Sequence, residues 1–119
     1  MMRDLEGTAI PVRLLIDWGH ALFKPLLKEQ ADMELWLKTC APYVSAIHLQ
    51  QTDGSWDRHW DFTKEGIVTP EYIKRAVEGA GLENLVQYLE VVTIFEDEDD
   101  RVYEKMKQTM EYLHRELGC

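Results

Sequence analysis

Cysteine is scarce in this chain: two in 119 residues, Cys40 and Cys119. Neither belongs to a Cys-x-x-Cys pair, so a thiolate zinc site has no support in the sequence. The expectation is one packed thiol and one tail thiol in a reducing, cytoplasmic setting. No apolar run approaches the roughly 18 residues that a membrane span needs. No charged-then-apolar leader opens the sequence, so no secretory signal is expected. Basic charge is short as well. Lys and Arg number 13 against 22 Asp and Glu, a net charge of −9. Nucleic-acid binders present a basic patch or stripe, and here only scattered pairs such as Lys74-Arg75 occur. The field of the whole chain opposes DNA and RNA. Low-complexity linkers are missing too, so residues 1–119 are expected to form a single domain.

What the sequence does have is a repeated order of apolar strand, polar loop and amphipathic helix. A first strand is expected over residues 12–16, ending at Asp17-Trp18-Gly19-His20. After a looser segment with Pro25, Met33, Trp36, Leu37, Cys40 and Val44 fall on one helical face. Asp32 suits that helix's first turn and Pro42 marks its end. A second strand is expected over 44–49, ending in His48-Leu49-Gln50-Gln51. The polar stretch 52–68 that follows is too long for a simple turn, and such loops are usually functional or disordered. Thr69-Pro70-Glu71 reads as cap, first-turn proline and first-turn acid. Ile73, Ala76, Val77 and Ala80 give the next helix its apolar face, with Gly81 as its stop. A third strand is expected over 85–92, with Glu90 inside it. The acidic run 96–100 then opens a last helix with the stripe Val102, Met106, Met110, Leu113 and Leu117. That stripe is expected to be core. The order β-α-β-α-β-α predicts a parallel sheet of three βα units. In such folds chemistry gathers at the C-terminal ends of the strands.

At those ends stand Asp17 and His20, then His48 with Asp53, Asp57 and His59 in its loop, then Glu90. A mixed Asp/His/Glu set without thiolate suits divalent metals of intermediate hardness, such as Mn²⁺, Co²⁺, Zn²⁺ or Fe²⁺. A glutamate within an apolar strand needs a partner, and a cation is one. Each residue also has a plainer reading. Asp17 is a turn or helix-cap aspartate, His48 a satisfied buried histidine, and Glu90 a salt-bridge partner of Arg13 on a neighbouring strand. Asp57-Arg58-His59 is then a solvated loop. Matching positions in three successive units favour the metal site. His114, on the polar side of the last helix, receives no role.

Residues 11–21, which include Asp17-Trp18-Gly19-His20, resemble the Asp-x-Gly-His segment of the xylose-isomerase-like sugar isomerases and epimerases. That superfamily of (β/α)8 barrels also includes metal-dependent apurinic endonucleases. Residues 47–54 are similar to the next strand end of the family, Asp57-Arg58-His59 to its Asp-x-His pair, and residues 86–90 to its last barrel strand. The agreement runs over about residues 10–115. The resemblance implies that Asp17, His48 and Glu90 bind one divalent metal (Mn, Co, Mg or Zn). It implies that Glu90 also acts as acid/base beside a substrate carbonyl. His20 would contact a substrate oxygen, or a second metal in the endonuclease-like branch. Asp57 and His59 would line the site, and Arg58 would hold a hydroxyl or phosphate.

Two departures accompany the resemblance. Residues 60–66 keep only the second glycine of the family's Gly-x-Gly turn, Gly66. A complete (β/α)8 barrel needs roughly 200 residues or more, so the chain corresponds to the closing three-eighths of one. The family's fourth metal ligand, a glutamate on the preceding strand, has no counterpart. Residues 1–9 read as the tail of a preceding helix or loop. The first function expected is metal-dependent isomerisation or epimerisation of a small sugar or sugar phosphate. The alternative is a non-catalytic partial barrel that binds metal and either self-associates or complements a missing barrel segment. Apurinic-site cleavage of DNA ranks last, against the acidic balance. No membrane partner is expected.

Overall fold

The structure, a computed structural model, describes residues 12–92 and 98–118. Three parallel strands form one sheet in the order β1-β2-β3, where β1 is Leu14–Asp17, β2 is Val44–Leu49 and β3 is Gln87–Leu89. Parallel neighbours cannot be joined by a hairpin, so each connection carries helices. Between β1 and β2 lie the short helices α1 (Trp18–Ala21) and α2 (Lys24–Leu27), then α3 (Met33–Cys40). Helix α4 (Pro70–Gly79) joins β2 to β3, and α5 (Asp99–Leu117) follows. The expected alternation of strand and helix is the one observed. Among the described residues, no helix is long and apolar enough to cross a membrane.

Strand limits differ from those the sequence suggested. β1 begins at Leu14, with Val12 and Arg13 exposed ahead of it, and it runs on to Asp17. β3 is shorter than 85–92, because β2 pairs with it only through Ile47↔Gln87, His48↔Tyr88 and Leu49↔Leu89. Glu90 therefore lies just past the strand rather than within it, its N–H donating to the Leu49 carbonyl at 2.9 Å. The plainer reading of Glu90, a salt bridge to Arg13 on a neighbouring strand, is not realised, because β2 separates β1 from β3. Glu90 contacts His48 instead.

The core lies on one face of the sheet. Ile16, Ile47 and Leu49 pack in one buried cluster with Met33 and Leu37 of α3 and with Ile73, Ala76 and Val77 of α4. The 3.6-residue spacing of the apolar positions turns one stripe of each helix to that cluster. Asp32 caps α3 by accepting from Glu34 N–H at 3.0 Å. The Tyr72 hydroxyl donates to Asp32 at 2.9 Å and accepts from Met33 N–H at 2.9 Å, tying α4 to α3. Burial, aided by the carboxylate of Asp32, pushes the Tyr72 hydroxyl up to about 12, so it remains a donor throughout the neutral range. Thr69 caps α4 through Tyr72 N–H, Pro70 opens it, and Gly81 at φ +72° ends it, as the sequence indicated.

The stripe expected on α5 is only partly core. Leu113 is buried, but Met110 is 41% exposed, and Thr109 is the fully buried residue of that turn. Neighbouring residues on a helix stand about 100° apart, so Thr109 and Met110 cannot both face inward. Thr109 takes the inward place because its hydroxyl accepts from Phe62 N–H at 3.0 Å. Asp99 and Asp100 occupy the first turn of α5. Residues 96–97 of the acidic run, the expected tail 1–9 and Cys119 lie outside the described residues. Cys40 is half-buried against the core, as a packed thiol would be.

Leu37 is fully buried between the sheet and α3. Leu37→Ala should lower unfolding stability by about 2–5 kcal/mol in urea titration. A loss below about 1 kcal/mol would contradict this placement of the core.

Candidate metal centre at the strand ends

Register decides which side chains meet. Asp17 pairs with His48, and His48 pairs with Tyr88, so the three share one face of the sheet. Glu90 lies two residues beyond Tyr88 and returns to that face. This face is opposite the buried Ile16 and Ile47. The expected ligands Asp17, His48 and Glu90 are thereby brought together. The Nδ1 of His48 contacts the Glu90 carboxylate and lies 3.9 Å from Asp17 Oδ2.

Asp17 is the most buried of the group, at 8% exposure. A carboxylate out of water needs hydrogen bonds. It has them from His20 N–H at 3.0 Å and from Gln50 Nε2, which lies 3.0 Å from both of its oxygens. Asp17 is thus the N-cap of α1, its plainer reading, and a member of the cluster at once. Among the described residues no buried side-chain nitrogen or oxygen lacks a partner.

A second group lies alongside. Asp57 stands between two imidazoles, 3.2 Å from His20 Nε2 and 3.3 Å from His59 Nε2. Among the described residues, two sets of three offer one donor atom each within 4.8 Å of one another: Asp17, His59 and Glu90, and His20, Asp57 and His59. His59 belongs to both. Its Nδ1 lies 3.1 Å from Gln50 Nε2, an amide donor. An Nδ1 that accepts leaves the proton on Nε2, which then donates to Asp57. In this arrangement His59 has no free lone pair for a metal, whereas His48 needs only to give up its contact with Glu90. The donor set of Asp17, His48 and Glu90, two carboxylates and an imidazole without sulfur, fits a divalent metal of intermediate hardness.

The long loop after β2 is built rather than loose. Gln51 and Trp60 form an antiparallel bridge, and Val92 N–H donates to the His59 carbonyl at 3.0 Å. The Gln51 side chain closes the base, donating to the Val68 carbonyl at 3.0 Å and accepting from Val68 N–H at 2.9 Å. Gly66 is required there, since a Cβ would collide with the Gln51 side chain and the Thr52 carbonyl. Arg58 is turned to Asp53, at 3.4 Å, and stacks 5.0 Å from the centre of the Trp60 ring. The Ser55 N–H and hydroxyl, helped by Arg58, hold the Asp53 carboxyl down at about 2. That contribution is present above the ordinary carboxylate range and is lost only as pH falls through about 2.

Gln50 is the residue that sequence reasoning missed. It is fully buried, and it touches Asp17, His59 and Gly19 N–H. Its signal was its position, two residues after His48 and so on the same face. Gln50→Leu should weaken Mn²⁺ binding about 10–100-fold in calorimetric titration, the usual effect of losing a group that orients a ligand. Unchanged affinity would remove Gln50 from the site.

No protein-family profile matches the chain, and no curated protein does. Among solved structures, it is similar to a “Putative Xylose isomerase” from Rhodospirillum rubrum ATCC 11170, at 44% identity and a TM-score of 0.88. The match covers 96% of this chain and 39% of that one. The chain thus spans well under half the length of the protein it matches. Three parallel strands with their helices, at this identity and overlap, make the chain a partial (β/α)8 barrel of the xylose-isomerase-like fold.

Proposed function

We propose that Asp17, His48 and Glu90 hold a divalent cation, and that the site serves proton transfer beside the carbonyl of a small sugar or sugar phosphate. Aldose–ketose isomerisation and epimerisation are the two reactions of that class. The observation that carries the reading is the convergence of the Asp17 and Glu90 carboxylates on the His48 imidazole, from three separate strand ends. Mn²⁺, Co²⁺, Mg²⁺ and Zn²⁺ are the candidate cations. Once bound, a cation would polarise the carbonyl and so acidify the adjacent carbon.

The chain's own residues supply the rest. The Glu90 side chain is 43% exposed, open enough for a substrate C–H to approach. It serves as the base that takes that proton and the acid that returns it. The His20 side chain is 64% exposed at the mouth, where it offers a hydrogen bond to a substrate oxygen. Asp57 orients His20 and His59 together. Arg58 reaches a substrate hydroxyl or phosphate only by leaving Asp53.

A second reading, metal binding without turnover, is favoured by the 39% coverage of the matching protein. Two measurements separate the readings. Mn²⁺ titration should give saturable binding that weakens at least tenfold in Glu90→Gln. Incubation with a ketose phosphate in D₂O should give deuterium on the carbon beside the carbonyl if the chain is catalytic. Binding without exchange supports the second reading. Affinity unaltered by Glu90→Gln contradicts both.

A further inference from the structure

Trp56 is 63% exposed, although the turn that carries it is firmly seated. Its carbonyl accepts from Arg58 N–H at 2.9 Å and from the hydroxyl of the buried Thr52 at 3.5 Å. Gly54, at φ +78°, brings the same turn against Leu22 and Ile67, too close for a Cβ. The Gly54 carbonyl also accepts from Lys24 N–H at 2.9 Å. The backbone is therefore fixed while the indole is displayed. A large aromatic left in water forgoes the burial that its size offers, so a displayed one on a rigid turn is a natural contact surface.

The indole stands beside the strand-end cluster. Two contacts in succession join α1 and its exit to the loop after β2. His20 Nε2 lies 3.2 Å from Asp57, and Phe23 meets Trp56 edge to face, with ring centres 6.1 Å apart. Phe23 follows His20 by three residues and its N–H donates to the His20 carbonyl, so the two side chains fall on one side of that turn. Asp17 meets the Nδ1 side of the His20 ring and Asp57 its Nε2 side. The order outward from the cluster is thus Asp17, His20, Asp57 and then the Phe23–Trp56 pair. Sugars present apolar C–H faces as well as hydroxyls. An exposed aromatic next to a carboxylate that is 48% exposed serves both. Arg58, the cation of the same loop segment, is turned to Asp53. A phosphate arriving here would face Asp57 with no free guanidinium to offset the repulsion.

We infer that Trp56, braced by Phe23, is the platform for the end of the substrate remote from its carbonyl, with Asp57 accepting hydroxyls there, so that this end is an uncharged polyol and not a phosphate. The inference rests on the reading of Asp17, His48 and Glu90 as a sugar site. Trp56 sets specificity and takes no part in proton transfer.

Saturation-transfer NMR on the full chain with Mg²⁺ tests it, comparing fructose with fructose 6-phosphate. Fructose should bind at least about tenfold more tightly than its phosphate. Trp56→Ala should weaken fructose binding about tenfold, and Trp56→Phe by no more than about twofold. Both variants should keep the Mn²⁺ affinity and circular dichroism of the unmodified chain. Equal or tighter binding of the phosphate would overturn the inference. So would fructose binding that ignores Trp56→Ala, or a chain that binds metal and no fructose. Those results leave the cation site standing, whereas a chain that binds no metal at all overturns both.

Discussion

The Gln50 amide is the hinge of the site. One nitrogen serves both oxygens of Asp17 and the Nδ1 of His59, while the amide oxygen accepts from Gly19 N–H at 3.4 Å. Asp17 is buried at the end of β1, His59 belongs to the loop after β2, and Gly19 lies in the first turn of α1. A single fully buried side chain therefore fixes three pieces of backbone against one another. It also selects a tautomer of His59. With Nδ1 accepting, His59 presents Nε2–H to Asp57, and Asp57 in turn faces His20. The acidic cluster and the imidazole cluster become two ends of one hydrogen-bonded chain.

Around that chain the fold supplies position. Parallel pairing in register puts Asp17 beside His48, and the end of β3 brings Glu90 to the same place. The helices pack on the other face and contribute nothing to the cluster except the first turn of α1. Their work is to hold the strand ends still. The Tyr72–Asp32 tie between α4 and α3 and the buried stripe on Leu37, Ile73 and Ala76 do that from the far side of the sheet. The loop after β2 is anchored by Gln51 at its base, and Gly66 leaves room for that anchor.

Local signals in the sequence are legible where they have a local cause. Asp32, Thr69-Pro70 and Gly81 mark helix ends because capping uses residues within a turn of each other. Asp17, His48 and Glu90 were legible because strand ends in a parallel sheet share one edge. What escaped was set by tertiary context. The length of β3 depends on how far β2 offers partners, so Glu90 fell outside the strand expected to contain it. Thr109 displaced Met110 from the buried face of α5 through a hydrogen bond to Phe62, 47 positions away. Gln50 looked like an ordinary polar residue at a strand end, and nothing short of its partners shows that it joins two clusters. Arg58, which the family resemblance implies as a substrate contact, is engaged in the structure by Asp53 and Trp60.

The proposed site requires a cation among Asp17, His48 and Glu90. A crystal of the chain grown with Mn²⁺, with diffraction measured near the manganese edge, tests it most directly. The expected result is one anomalous peak at about 2.0–2.3 Å from the Asp17 and Glu90 oxygens and a His48 nitrogen. His59 should remain hydrogen-bonded to Gln50 in that crystal. A peak confined to His20, Asp57 and His59, or no peak at all, would contradict it.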